Sequence, residues 1–232
     1  MVRPLLKAGV APAPTVIVFD MDGVLVDVTE SYRETIVRTV EHFTGRTIER
    51  ALIQRYKNEG GWNNDWELSQ RICADLGVKV EYDTVVAYFN HLFLDQGMIH
   101  RERWLVKPGL LDALAASYDL AIFTGRNRLE VSITLQREGL ADCFHLVTSD
   151  DVVKPKPDPE GLQQIMALYP GKELLYIGDT VDDARSARAA GVNFVGIAAG
   201  NAELAGLLET EGAVAVLNDI NELEDLLCVA LP

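Results

Sequence analysis

Cysteine is scarce in this sequence: Cys73, Cys143 and Cys228 are the only three in 232 residues, and no two of them form a C-x-x-C pair. That spacing excludes a disulfide framework and a thiolate zinc site, and it reads as buried free thiols in a reducing compartment. The four histidines, His42, His91, His100 and His145, show no metal-ligand spacing and read as structural. No apolar run approaches the roughly 20 residues that a membrane-spanning helix requires. Residues 1–15, rich in Pro and Ala, hold too short an apolar stretch for a signal peptide and read as a loose N-terminal lead. Together these absences place the chain in the cytoplasm. Positive charge is also short, with 21 Lys and Arg against 35 Asp and Glu and a formal net charge of −14. Nucleic acid and anionic membrane, both polyanions, are therefore disfavoured partners. A small phosphorylated metabolite is not excluded, because a metal ion and a few lysines reverse the field locally.

Apolar residues are plentiful at 48% of the chain, enough for a sizeable core. The first well-formed apolar stretch is "VIVFDMDGVLVD", residues 16–27. Val16 to Phe19 form a short, mostly β-branched run of the kind buried on both faces of a sheet. The run ends on Asp20 and Asp22, with Gly23 and then Asp27 beyond. Adjacent carboxylates at a strand end lose water and repel one another, so they need a cation or a shared proton. Gly23 permits a sharp turn or a close backbone approach. Asp27, past the turn, reads as the residue that ends the loop.

From residue 105 onward, apolar segments at 120–124, 144–149, 174–179, 193–198 and 213–217 alternate with helix-like ones closed by Gly. This pattern predicts βαβ units, a parallel Rossmann-like sheet with helices on both faces, and all strand C-termini on one edge. Residues 29–104 differ. Tyr32, Ile36, Val40 and Phe43 recur at helical spacing, as do Val85, Phe89 and Leu92, and "DWELSQRICADLG" is a further helix ending at Gly77. The expected organisation is a core of residues 15–28 and 105–232 carrying an all-helical insert at 29–104.

Four predicted strand ends are polar in a specific way. The first offers Asp20 and Asp22 and the second Thr124-Gly125-Arg126. The segment "VVKPKPDPEGL" then offers Lys154 and Lys156, and "GDTVDD" offers Asp179, Asp182 and Asp183. Oxygen ligands beside hydroxyl and ammonium donors suit a divalent metal and a phosphate. The order D-x-D-G, strand-end Thr, K-P-x-P, G-D-x-x-x-D resembles the haloacid dehalogenase superfamily over residues 16 to about 200. The insert is similar to the C1 cap of its subfamily I.

The resemblance implies an aspartyl-phosphate intermediate and dependence on Mg²⁺. It makes Asp20 the nucleophile and Asp22 the acid and then the base. Asp20, the Asp22 backbone carbonyl and Asp179 become the metal ligands. Thr124, Gly125 and Lys156 become the phosphate-binding residues, and Asp183 either a water-mediated ligand or the partner that orients Lys156. Lys156 fits the family spacing better than Lys154. The implied function is a phosphatase of a small phosphate monoester. Phosphomutase or another phosphotransferase is the alternative, and a receiver-like signalling module a remoter one, since such modules are about half this length and lack the insert. A hydrolytic dehalogenase is disfavoured by Asp22. Monomer and homodimer both stand at this level.

Some of these residues also admit plainer roles. Thr124 by itself reads as a helix N-cap, Asp182 as a solvated residue at a helix start, and Arg126 and Arg128 either as surface residues or as guides for an anion. In "EGGWNNDWEL", Asn64 and Glu67 resemble a capping box with the tryptophans as core anchors. Trp62 and Asn63 beside Gly60-Gly61 read as well as a stretch that selects the substrate's leaving group.

Overall fold

Val16 to Phe19 are fully buried, and successive side chains of a strand point to opposite faces. Val16 and Val18 join an apolar cluster with Phe123, Leu162, Ile165, Tyr176, Ala184 and Ala187. Ile17 and Phe19 face the other way and are equally hidden, so this strand is covered on both sides. Each such side chain contributes roughly 1.5–3 kcal/mol on leaving water. The structure is a computed structural model that describes residues 14–228. The expected N-terminal lead lies outside the described residues apart from its last two, as does the end of the closing segment.

The chain forms β1 (Val16–Phe19) and a two-residue β2 (Val26–Asp27). Four helices follow, α1 (Tyr32–Thr44), α2 (Arg50–Glu59), α3 (Asp65–Asp75) and α4 (Tyr82–Asn90), and then β3 (Arg103–Trp104), the partner of β2. Beyond it come α5 (Leu110–Ala115), β4 (Asp119–Phe123), α6 (Arg128–Arg137), β5 (His145–Val147), α7 (Glu160–Leu168) and β6 (Leu174–Gly178). The chain closes with α8 (Val181–Ala190), β7 (Asn193–Ile197), α9 (Ala202–Thr210), β8 (Ala215–Leu217) and α10 (Leu223–Leu227). It divides into a core unit, which runs to Val26 and resumes at Trp104, and a helical unit over Asp27–Arg103.

In the core unit six strands form one parallel sheet in the order β5-β4-β1-β6-β7-β8. Counting only these strands along the chain, the order is 3-2-1-4-5-6, the doubly wound arrangement that the alternating pattern predicts. The order of winding reverses between β1 and β6, which run parallel and pair from Val16 with Leu174 to Phe19 with Ile177. Ligands of such sheets bind at the carboxyl ends flanking this reversal. Both edge strands, β5 and β8, are only three residues long, which limits unpaired backbone for edge-to-edge association.

In the helical unit α1 packs on α3 and α4. Tyr32, Phe89 and Phe93 form an aromatic cluster in which the Tyr32 and Phe93 centroids are 4.0 Å apart, and Trp66 meets Phe89 edge-on at 6.4 Å. Asn64 caps α3, its side-chain oxygen accepting from the Trp66 and Glu67 amides at 2.9 and 3.1 Å. The Asn64 half of the capping box anticipated from sequence therefore forms. Of the three thiols only Cys73 is buried; Cys143 and Cys228 are exposed. Both lie near the ends of the core's elements, where no periodic pattern marks which side faces water.

Candidate active site

Asp20 directly follows β1, and its amide continues the ladder by donating to the Ile177 carbonyl at 2.8 Å. The strand pairing thus fixes where this carboxylate stands, and it is 5% exposed. Lys156 reaches it from the segment before α7, with Nζ 2.9 Å from Asp20 Oδ1 and 2.7 Å from Asp183 Oδ1. The ammonium also lies against the rings of Phe123 and Tyr176, 4.8 and 5.4 Å from their centroids. Gly161 makes room for that wall, since a Cβ there would fall 2.1 Å from the Phe123 ring. Lys154 is left outside, 71% exposed and 3.8 Å from Asp158. Geometry thus agrees with the spacing preference for Lys156 over Lys154.

Asp183 sits in the first turn of α8 and is saturated with donors. Its Oδ1 forms an ion pair with Lys156 and accepts from the Tyr176 hydroxyl at 2.6 Å, and its Oδ2 accepts from the Thr180 hydroxyl at 2.6 Å. Oδ2 also takes the Thr180 and Asp179 amides at 3.0 and 3.2 Å. A carboxylate has about four lone-pair sites. Asp183 therefore spends its capacity holding Lys156 and the Asp179–Thr180 turn.

The carboxylates of Asp20, Asp179 and Asp183 each place an oxygen within 4.8 Å of the others, a cluster able to hold a metal ion. Gly23 makes the Asp179 position possible. A Cβ at Gly23 would lie 1.9 Å from Asp179 Oδ2, and its φ of +74° is itself one that L-residues avoid. The turn after β1 is in effect cut to receive a second acid from β6.

The electrostatics are short of positive charge. Burial pushes Asp20 up to about 7, Lys156 opposes that, and the negative charges of Asp183 and Asp22 add to it. Burial alone would lower the Lys156 ammonium, but Asp183 and Asp20 outweigh it and hold the group above its ordinary range. Burial likewise works to raise Asp183, and Lys156 with the Thr180 and Tyr176 donors brings it below the usual carboxylate range. The Tyr176 hydroxyl is raised well above normal by burial and by Asp183, so it stays a donor. Two cations, Lys156 and Arg126, among Asp20, Asp22, Asp179 and Asp183 leave an excess of anion that a metal cation would balance.

The second strand end joins the same place. Thr124 is 2% exposed, and its hydroxyl accepts from the Arg126 amide at 3.2 Å. It is not the helix cap, because Asn127 caps α6 in a full capping box with Glu130. Arg126 is not at the surface either: it is 2% exposed, with Nε 2.7 Å and Nη2 2.5 Å from Asp22 Oδ1. Asp182 corrects the expectation of a solvated helix start, for it is buried at 3% exposure. Asp27, expected to end a loop, is instead the last residue of β2; it accepts from the Thr29 amide at 3.0 Å and pairs with Arg103. Arg128 lies in the open, 2.6 Å from Asp151. Trp62 stands edge-on to Tyr56 at 5.6 Å and helps line a hollow of about 410 Å³ within the helical unit, with Gln70, Arg71 and Lys79. Asn63 beside it is half-buried.

Sequence reasoning missed Tyr176, because a tyrosine inside an apolar strand reads as core. It also missed the capping box of Thr180 with Asp183, although T-x-x-D before a helix is a legible signal.

A doubly wound sheet whose switch point gathers acidic oxygens, a buried lysine and a strand-end threonine defines an α/β enzyme built for phosphoryl chemistry. The sequence pattern of haloacid dehalogenase-like hydrolases matches residues 14–191. A Phytophthora nicotianae protein named imidazoleglycerol-phosphate dehydratase is 32% identical over 195 residues, covering 78% of this chain but only 42% of its own length. Pyrophosphatase PpaX of Bacillus velezensis is 26% identical over 187 residues, with 79% and 83% of the two chains covered. A haloacid dehalogenase-like hydrolase from Bacteroides fragilis superposes with a TM-score of 0.75 at 24% identity, over 91% of this chain and all of its own. The chain belongs to the haloacid dehalogenase-like hydrolase family and is an enzyme. Among the described residues no helix is long and apolar enough to cross a membrane.

Proposed function

We propose that this hydrolase is a Mg²⁺-dependent phosphatase that cleaves a small phosphate monoester through an aspartyl-phosphate on Asp20. The observation that carries the reading is the meeting of Asp20, Lys156, Asp183 and Asp179 at the switch point beside the Thr124 strand end. PpaX is a pyrophosphatase by name, which agrees with phosphoryl transfer.

The chain's own residues divide the work as follows. An Asp20 oxygen attacks phosphorus, forming an O–P bond as the bond to the ester oxygen breaks. Asp22 gives its proton to the departing oxygen. It later takes one from the water that attacks the phosphoaspartate and releases phosphate and Asp20. Thr124 accepts from the Arg126 amide, which leaves its own hydroxyl proton to donate to the phosphoryl group alongside the Gly125 amide and Lys156. Asp183 and Tyr176 keep Lys156 in place. Asp20, the Asp22 carbonyl and Asp179 hold the cation. When bound, it supplies the positive charge that lets an anionic carboxylate approach an anionic phosphate.

The test is hydrolysis of a panel containing pyrophosphate, a carboxylated phosphate monoester, a sugar phosphate and p-nitrophenyl phosphate, with Mg²⁺ and with excess EDTA. Turnover of at least one ester that vanishes in EDTA is expected. Full turnover in EDTA contradicts the metal assignment, and no turnover of any phosphate ester contradicts the phosphatase.

Gly23→Ala supplies a check that does not read activity. The added methyl collides with the Asp179 carboxylate and meets a φ that costs about 1–2 kcal/mol for an L-residue. Calorimetric titration should show Mg²⁺ affinity lowered roughly 10-fold or more, the scale of a displaced ligand. Unchanged affinity would remove Asp179 from the ligand set.

A further inference from the structure

Arg126 is an expensive residue. Its guanidinium carries a permanent charge, its side chain is 1% exposed, and burying an ion costs several kcal/mol unless its partners compensate. Nε and Nη2 both approach one oxygen of Asp22, Oδ1, at 2.7 and 2.5 Å. Nη1 donates to the Thr134 hydroxyl at 2.9 Å, one and a half turns into α6, and Thr134 is fully buried. The backbone is held as well: the Arg126 amide donates to Thr124 Oγ1 at 3.2 Å, and its carbonyl accepts from Ser149 at 3.0 Å. Asp22 differs from its partner in being open, its side chain 33% exposed.

This geometry makes the two Asp22 oxygens unequal. Oδ1 carries both guanidinium contacts, whereas Oδ2 is the oxygen those contacts leave for other work. The arginine is too enclosed to take up a substrate anion, and its Nε and Nη1 already donate to Asp22 and Thr134 while Nη2 lies in ion-pair contact with Asp22. A side chain kept only for packing would not need a charge there, since apolar residues of similar volume fill buried sites at no loss.

We propose that Arg126 is a positioning residue for proton transfer: braced by Thr134, it anchors Asp22 through Oδ1 and presents Oδ2 to the substrate's leaving oxygen and to the attacking water. The assignment rests on the acid–base role of Asp22 proposed above. It adds that the strand end carrying the phosphate-binding threonine also orients the proton carrier on the neighbouring strand, so phosphate binding and proton transfer share one rigid frame.

The experiment compares Arg126→Ala, Arg126→Lys, Thr134→Val and Asp22→Asn with wild type in steady-state hydrolysis at saturating Mg²⁺. Arg126→Ala should lower kcat about 10- to 100-fold, the usual cost of losing a partner that orients a reacting group, with KM within about twofold. Guanidinium ion, added below concentrations that unfold the protein, should restore part of that kcat by filling the vacated cavity, and it should not rescue Asp22→Asn. Arg126→Lys should recover part of the loss, because its ammonium reaches Oδ1 but cannot also grip Thr134. Thr134→Val should lose a few-fold in kcat alone. Wild-type kcat in Arg126→Ala overturns the proposal, as does a loss confined to KM. So does a kcat lost in Arg126→Ala that guanidinium fails to restore while Arg126→Lys, stably folded, recovers nothing. If Asp22→Asn retains wild-type kcat, the acid–base reading itself falls and the assignment falls with it. If Asp22→Asn is inactive while Arg126→Ala is normal, only the role of Arg126 falls.

Discussion

Asp20→Asn is expected to abolish turnover while leaving the fold intact or slightly more stable. The amide keeps the shape of the carboxylate, and its oxygen can still face the Lys156 ammonium, which lies 2.9 Å from Asp20 Oδ1. It cannot attack phosphorus, and enzymes that use a covalent nucleophile lose several orders of magnitude without it. Stability moves the other way, because a buried anion crowded by Asp183 and Asp22, with its carboxyl pushed up to about 7, is replaced by a neutral group. Active-site groups under such tension are commonly held at a cost in stability. The measurements are kcat for the preferred ester, acid-stable or trapped phosphoenzyme, and Tm. Turnover above about a hundredth of wild type would mean that another group attacks phosphorus.

Lys156→Met carries the second-largest expected effect and acts on stability and chemistry together. Methionine retains an apolar stem between the Phe123 and Tyr176 rings, so the change isolates the loss of charge. Lys156 and Asp183 have side chains 1% exposed and Asp20 7%. Removing the cation leaves two buried carboxylates uncompensated, unlike neutralising one of the surplus anions, at a cost of about 3–5 kcal/mol. The lower end applies, because Asp183 keeps its Thr180, Asp179 and Tyr176 donors. For a chain of this size about 3 kcal/mol corresponds to a Tm lower by roughly 6–12 °C. Turnover should fall at least ~10³-fold, since a phosphoryl-binding cation and the group that sets Asp20 disappear at once. An unchanged Tm would mean that the ion pairs contribute nothing to the fold. Activity near wild type would mean that the phosphoryl group is bound elsewhere.

How much of this was legible in the residues differs by element. The apolar runs ending in polar residues placed β1, β4, β6 and β7 within a residue, because alternation of burial and turn chemistry is local. Motif order tied Asp20, Asp22, Thr124, Lys156, Asp179 and Asp183 to one edge of the sheet, since a parallel sheet with right-handed crossovers leaves no other place for its strand ends. Asp182 was misread because periodicity at a helix start does not reveal which neighbour covers it. Cys143 and Cys228 were misread because composition speaks of thiols as a class and not of their positions.

Local patterning and chain order suffice for the parallel α/β core, the helical insert and the identity of the groups at the strand ends. How those groups share their hydrogen bonds follows from the packing of strands and helices. That packing filled both oxygens of Asp183, brought the Tyr176 hydroxyl onto it, fitted Asp179 against Gly23, and turned Arg126 inward to Asp22. The physical reason is that a lone pair can be claimed by donors more than a hundred residues away, and which donor wins depends on distances of a few tenths of an ångström that appear only when the strands pair.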